Sequence, residues 1–402
     1  MIIERPLEIK NIKEISKWIL IYGRRKTGKT FLVKNFIKYE EYFFVKTDKN
    51  IITNRNESIS YETFIEILKR TLENKQTVIV DEFHRLGNDF FDFLHYTKKQ
   101  GKLILISSTL FLSKKLISSK SPLLGLFAEI PFNLINLKDT LRSLNKFNFS
   151  KKEKTELAIL FREPITIDYF DKDKTSRQII STIILSSIKT IPALIGEIFV
   201  EEQREISAVY EGIIRSIAIG KINSGEISNY LFSKKLIKKD DPSVIQQYLN
   251  NLVYFGIIKK IEIFNKKRFI YKLISPISKI YYYADEKYNI SERKISDNEL
   301  GLIIDELMPR LIEDNVREII AEKFGLRESV VESKDYDIDA CLLKFKKPEI
   351  VMEIKWGKIN KNDLIKIEDN LNKIKAPKKF LFVQDKNEIH ADLGLLDVND
   401  LF

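Results

Sequence analysis

Short apolar runs alternate with longer amphipathic stretches through the first third of the chain. Trp18–Tyr22, Tyr42–Val45, Thr77–Val80 and Leu103–Ile106 are runs of strand length. Between them, Phe31, Leu32, Asn35, Phe36 and Tyr39 fall at helical spacing, and Phe64, Ile65, Leu68 and Leu72 mark one face of another helix. Strands that are apolar throughout, separated by amphipathic helices, predict an α/β fold with a parallel sheet covered on both faces. The functional groups of such a sheet gather at the carboxyl ends of its strands.

The pattern then changes. From about Lys138 to Glu205 the chain reads as helical, and its most apolar stretch, Ile179–Val200, is broken by Lys189, Pro192 and Glu197. That predicts one or two buried helices and no membrane span. Ala208–Lys221 reads as a helix, Ser224 as the cap of a second, and Asp241-Pro242 as the start of a third that ends at Gly256. In the third, Val244, Ile245, Tyr248, Leu249, Leu252 and Val253 point inward. Alternating strands follow at Ile257–Ile263 and Arg268–Ile274, joined across Asn265-Lys266-Lys267. Three helices and a basic hairpin predict a winged helix. A long helix, Leu300–Phe324, kinked or split at Pro309, carries Glu306 and Glu318. A strand then opens at Asp335, followed by a strand at Glu349–Trp356, a helix at Leu364–Ile374 and a strand at Lys379–Val383.

At 402 residues the chain is too long for one ordinary core. With one cysteine, Cys341, and three histidines it has neither a disulfide framework nor a zinc cage. A metal here would be a hard cation on carboxylates, a hydroxyl and phosphate oxygens. The formal charge of +11 suits a polyanionic partner, and equally a lysine-rich surface, since the lysines are spread along the whole chain. Met1–Lys10 carries charges where a signal core would be apolar, so a cytoplasmic, reduced protein is expected.

The sharpest chemistry is the octet Gly23-Arg24-Arg25-Lys26-Thr27-Gly28-Lys29-Thr30, which fits the P-loop pattern between a strand and the helix that Phe31 begins. Gly23 and Gly28 let the backbone N–H groups turn towards phosphates at a helix N-terminus. Lys29 can reach the β and γ phosphates, and the Thr30 hydroxyl can join a magnesium shell. Asp81, at a strand end, suits the same metal, and Glu82 suits a general base for the attacking water. Ser108 is placed to sense the γ-phosphate, with Ser107 and Thr109 as competitors for that role.

These motifs (Tyr22 to Thr30, Val80-Asp81-Glu82-Phe83) and the opening Glu4-Arg5-Pro6-Leu7-Glu8 resemble the archaeal P-loop ATPases related to the AAA+ and STAND NTPases. The resemblance implies an ATP- and magnesium-dependent, additional-strand P-loop domain with a helical lid, a winged helix and often a nuclease-like C-terminal domain. The corresponding division here is 1–136, 137–206, 207–290 and 291–402. In one place the chain departs from its relatives. They carry Gly-Arg after Ser-Pro-Leu-Tyr, whereas this chain reads Ser121-Pro122-Leu123-Leu124-Gly125-Leu126, so the basic residue that would act on a neighbour's nucleotide is absent at Leu126.

Two readings of the winged helix stand open. As a duplex-DNA reader it would present Gln246, Gln247, Asn250 and Asn251 to the major groove, and Lys266, Lys267 and Arg268 to phosphate. As a regulatory module it would touch no DNA. In the last segment Glu353 and Lys355 share a strand face that Asp339 can meet. That layout resembles the PD-(D/E)XK nuclease core, in which Asp339 and Glu353 would hold magnesium, Lys355 would orient water, and Glu318 could add a carboxylate. The expectation is an ATP-driven protein acting on DNA. The alternative is a STAND-like switch with protein partners and an inactive nuclease fold.

Overall fold

The computed structural model describes residues 1–109, 123–201 and 206–401. Two compact units make up the chain. One holds Glu4–Leu134 with Leu194–Glu205, and the other holds Met1–Ile3, Ile135–Ala193 and Ile206–Phe402. The segments 137–206, 207–290 and 291–402 thus gather in the second unit, except that Leu194–Glu205 goes with the first.

In the first unit, strands β1 (Trp18–Tyr22), β2 (Glu41–Val45), β3 (Ile51–Thr53), β4 (Ser58–Ile59), β5 (Thr77–Asp81), β6 (Lys102–Ser107) and β7 (Phe127–Pro131) form one sheet. Its order is β4-β3-β2-β5-β6-β1-β7. The five strands from β2 to β7 run parallel, and β3 and β4 extend the β2 edge antiparallel. One strand, β6, lies between the strand leading into the glycine loop and the strand ending in Asp81.

Strand alternation divides the apolar runs between two cores. Leu20, Phe43, Val78, Val80, Leu103 and Leu105 face one way and pack with Phe64, Leu68 and Leu72 of α3 (Tyr61–Glu73) and Phe90 of α4 (Asn88–Tyr96). Ile19, Ile21, Tyr42, Ile79, Ile104 and Ile106 face the other way. They meet Ile12 of α1 (Pro6–Glu14) and Leu32 and Val33 of α2 (Lys29–Phe36). Both faces being covered is why these strands carry no polar alternation. Leu126 packs against the first core, while Ser121 and Pro122 lie outside the described residues.

The second unit's first helices are α5 (Leu137–Leu144), α6 (Lys151–Leu160) and α7 (Ser176–Ser186); the helix α8 (Thr190–Glu201) begins in this unit but belongs to the first from Leu194 on. No single helix among the described residues is long and apolar enough to cross a membrane. Next come α9 (Ala208–Ala218), α10 (Ser224–Ser233), α11 (Pro242–Tyr254) and the hairpin β8 (Ile258–Ile263)–β9 (Phe269–Leu273). Asp241 caps α11 through its side chain with Pro242 in the first turn, as the sequence predicts. The cap of α10 is not Ser224 but Asn223, whose side chain closes a capping box with Glu226; Ser224 is already inside the helix.

Helices α12 (Pro276–Tyr288) and α13 (Asp297–Lys323) follow, and of the kink or split expected at Pro309 the split is absent: the proline lies inside one continuous α13. The remaining elements are β10 (Ser329–Glu332), β11 (Asp337–Ile338), β12 (Ala340–Lys344), β13 (Lys347–Ile354), α14 (Lys361–Asn372), β14 (Lys378–Phe382) and β15 (Gly394–Leu396). They build two sheets, β11-β10-β8-β9 and β12-β13-β14-β15. Since β10 runs parallel to β8, the hairpin and the C-terminal strands share backbone hydrogen bonds.

A buried ionic cluster ties these parts together around α13. Asp314 sits 2.6 Å from Lys279 of α12, 3.2 Å from Lys272 of β9 and 2.8 Å from Arg317. Burial alone would raise its pKa, but the three cations hold it well below the usual carboxylate range. Its stabilising contribution is therefore complete at neutral pH and is lost only as the pH falls through its depressed pKa. Asp314→Ala should strand three cations in a closed interior and destabilise the unit by about 3–5 kcal/mol in denaturant unfolding. Glu14→Ala, breaking an exposed pair with Lys10, should change stability by under about 1 kcal/mol.

Candidate functional site

β1 delivers the chain into a loop that only glycine can start. A side chain at Gly23 would place its first carbon 2.0 Å from the Phe132 carbonyl oxygen. At the other end Gly28 adopts φ 87°, ψ 16° as the cap of α2, the left-handed conformation that costs glycine least. Lys29 is buried, and its Nζ donates to the carbonyls of Gly23 at 2.8 Å and Arg24 at 2.7 Å. Thr27 Oγ1 closes the turn by donating to the Arg24 carbonyl at 2.9 Å. Of the remaining loop residues, Arg25 lies 3.5 Å from Glu197, Lys26 is exposed with φ 60°, and Phe31 is exposed on α2.

Sequence reasoning gave no role to Arg5, which is buried beside this loop. Its guanidinium donates to the carbonyls of Thr27 at 3.2 Å and Asn133 at 3.1 Å, stacks 3.9 Å over Phe132, and bonds Glu8 at 2.9 Å. It therefore ties the start of α1 to the backbone of the glycine loop.

At the carboxyl end of β5, Asp81 has no solvent exposure. Its Oδ2 accepts from Thr30 Oγ1 at 2.6 Å and from Tyr42 Oη at 2.8 Å, while Oδ1 accepts from the Glu82 backbone N–H at 2.9 Å. Burial raises the Asp81 pKa, and a cation beside it would reverse that pressure. The structure thus brings Thr30 and Asp81 together, a hydroxyl and a carboxylate of the kind a magnesium ion shares with phosphate oxygens.

Glu82 stands in the left-handed region at φ 56°. Its Oε2 accepts from Ser108 Oγ at 2.9 Å, which joins Ser108, rather than Ser107 or Thr109, to the acidic pair. Ser107 and Thr109 hydroxyls bond each other at 3.1 Å. His84 Nδ1 lies 3.3 Å from the same Glu82 oxygen. Burial, then the charges of Arg85, Arg25 and Lys29, push the His84 pKa down to about 4, so the ring is neutral at pH 7 and this contact is not an ion pair.

In the second unit, Asp339 at the bend before β12 meets Lys355 just after β13. Lys355 Nζ lies 2.8 Å from Glu353 Oε2 and 3.5 Å from Asp339 Oδ2, and the Ile354 N–H donates to Asp339 at 2.9 Å. All three side chains line a cleft of about 780 Å³ with Tyr336, Trp356 and Lys366 among its walls. Burial and the Asp339 charge hold Glu353 well above the usual carboxylate range.

Glu318 does not join them. It is engaged by Arg162 and by Lys259, the latter at 2.6 Å, and despite burial those charges hold its pKa far down. The α13 carboxylate that feels Asp339 is Glu313, raised to about 7 by burial and then by Asp339 and Asp314. No group of three or more His, Cys, Asp and Glu side chains among the described residues is placed to hold a metal ion.

On α11, Gln246, Gln247 and Asn250 are exposed, and Gln246 donates to Asn250 at 3.2 Å. Asn251 is half-buried and donates to Tyr210 Oη at 2.6 Å, which takes it out of the exposed row. Lys266, Lys267 and Arg268 are exposed at the β8–β9 turn.

Residues 16–141 match the AAA domain family, which covers less than half of the chain and supports a nucleotide-binding ATPase domain in this segment. An uncharacterized protein of Methanocaldococcus jannaschii is 25% identical, with 98% of this chain and 95% of that protein covered. Among solved structures, the Aeropyrum pernix ORC2 protein in ADPNP–ADP complexes is similar at a TM-score of 0.38 and 12% identity, covering 78% of this chain and 94% of that one. A STAND protein with a tetratricopeptide repeat sensor from Pyrococcus horikoshii gives 0.32 and 13%, covering 81% of this chain and 52% of that one.

The raised pKa of Glu353 carries a testable sign. Its contribution to stability is largest below the ordinary carboxylate pKa and is lost as the pH rises through the raised value. Glu353→Gln should therefore gain stability relative to wild type between about pH 5 and pH 8, read as the difference in melting temperature. A difference that stays constant with pH would mean that Glu353 ionises as an ordinary carboxylate.

Proposed function

We propose that this chain binds ATP with magnesium in the loop Gly23–Thr30 and hydrolyses it. One observation carries the reading: the buried Asp81 carboxylate and the Thr30 hydroxyl meet at 2.6 Å at the head of α2, with Glu82 next in sequence. The first turn of α2 and the glycine loop offer N–H groups to the phosphates. Lys29 supplies the point charge at the β and γ phosphates once it leaves the Gly23 and Arg24 carbonyls. Magnesium held by Thr30 and Asp81 would neutralise charge on the β and γ oxygens. Glu82 polarises the attacking water, and Ser108, bonded to it, links that base to the γ-phosphate position.

Lys29→Ala should abolish ATP binding by calorimetry. Glu82→Gln should keep binding while turnover falls by about 10²-fold or more. Unchanged ATP affinity in the first variant would sink the assignment of the loop, and wild-type turnover in the second would remove Glu82 from the chemistry.

A second reading concerns the other unit, and the clustering of Asp339, Glu353 and Lys355 in one cleft supports it. In it, Asp339 and Glu353 hold a divalent ion, Lys355 orients water, and the exposed Gln246, Gln247 and Asn250 with Lys266, Lys267 and Arg268 grip duplex DNA. ATP turnover would then govern a DNA-cutting or DNA-binding module, in place of the STAND-like switch with protein partners. On this reading wild-type protein cuts DNA or RNA with magnesium or manganese, and Asp339→Ala and Lys355→Ala each abolish cutting while leaving ATP turnover intact. No cutting by wild type under any metal or nucleotide condition, with a lower melting temperature in Lys355→Ala, would make the cleft a binding site only.

A further inference from the structure

Tyr42 has no place in the glycine-loop or acidic-pair motifs, yet it reaches the centre of the site. It lies on β2, next to β5, in register with Ile79. Side chains two apart share a face, so Tyr42, Ile79 and Asp81 all point towards the side of the sheet that α2 covers. Tyr42 extends along that face and donates its hydroxyl to Asp81 Oδ2 at 2.8 Å, the oxygen that also accepts from Thr30. The ring is 4% exposed, stands 4.1 Å from Lys34 Nζ and packs 6.0 Å from Tyr39.

Three donors therefore fix Asp81: one from the loop helix, one from the following backbone N–H, and one from a neighbouring strand. The first two come from residues already in the two motifs. The third comes from outside them: among the described residues Tyr42 holds the carboxylate from the sheet side, whereas Thr30 sits in the first turn of α2, next to where nucleotide would bind.

We propose that Tyr42 is a positioning residue for the magnesium–nucleotide site, its hydroxyl fixing the Asp81 carboxylate in the orientation that meets Thr30. The proposal rests on the magnesium–ATP reading above. Without the phenol, Asp81 keeps its charge and its Thr30 partner but gains freedom to turn, so a metal bound through it must first order it. The loss falls on the metal-dependent part of nucleotide affinity and spares the phosphate contacts of Lys29 and the loop backbone.

The test is calorimetric titration of the full chain with ATP in excess magnesium and again in EDTA. Wild type should bind more tightly with magnesium than without. Tyr42→Phe keeps the buried ring, so its affinity in EDTA should match wild type, whereas the gain from magnesium should shrink about tenfold, the loss expected for one hydrogen bond to a charged group. Tyr39→Phe, which alters the ring packed on Tyr42, should leave the gain unchanged. An equal magnesium gain in wild type and Tyr42→Phe would overturn the assignment, as would an equal loss in EDTA and magnesium, which marks a purely structural role. No magnesium gain in wild type would overturn the magnesium reading itself.

Discussion

The carboxylate of Asp81 has no contact with solvent, and hydroxyls from two different elements close on one of its oxygens. A buried charge is tolerated only when donors replace the water it has lost. Here the donors come from α2, from β2 and from the backbone after β5, so Asp81 requires those elements to meet. The strand order supplies the meeting, since β5 has β2 on one side and, through β6, the loop strand β1 on the other. The apolar faces that bury the sheet also put the carboxyl ends of these strands at one edge, and the polar chemistry gathers there because the cores exclude it elsewhere.

The second unit follows a similar logic with more charges. Asp314 is compensated by Lys272, Lys279 and Arg317 from three different elements. Arg317 also donates to the main-chain carbonyl of Asp339 at 3.0 Å, so the cluster that holds α13 against the β8–β9 hairpin also supports the backbone of the cleft. By contrast Asp339, Glu353 and Lys355 set two carboxyl groups against one ammonium, and Glu353 is held well above the usual carboxylate range.

Much of this was legible because the chemistry is local. A glycine loop between a strand and a helix, or an acid at the end of an apolar run, is written in consecutive residues, and the structure keeps Lys29, Thr30, Asp81 and Glu82 in one place. What needed the fold was the partner across the sheet. Tyr42 and Arg5 reach the site from elements whose pairing no short window of sequence encodes. The helix carboxylate shows the same limit. Glu313 and Glu318 lie five residues apart, about 140° around α13, and which face meets β12 and β13 is not written in the sequence, so Glu313 went unnamed. Glu318 turns towards Arg162 and Lys259, so the carboxylate suggested by the nuclease resemblance is an ion-pair partner and Glu313 is the one that feels Asp339. Likewise, the pairing of β10 with β8 joins two segments that read as separate modules, because a parallel pair leaves no turn signal between its strands.

If the glycine loop is the ATP site, phosphate takes the place now held by two carbonyls around Lys29. The measurement is a crystal structure with magnesium and a non-hydrolysable ATP analogue. In it, Lys29 Nζ should leave the Gly23 and Arg24 carbonyls for the β and γ phosphates, with the metal held by Thr30 and Asp81. A nucleotide bound elsewhere, with Lys29 still on those carbonyls, would rule the loop out as the ATP site.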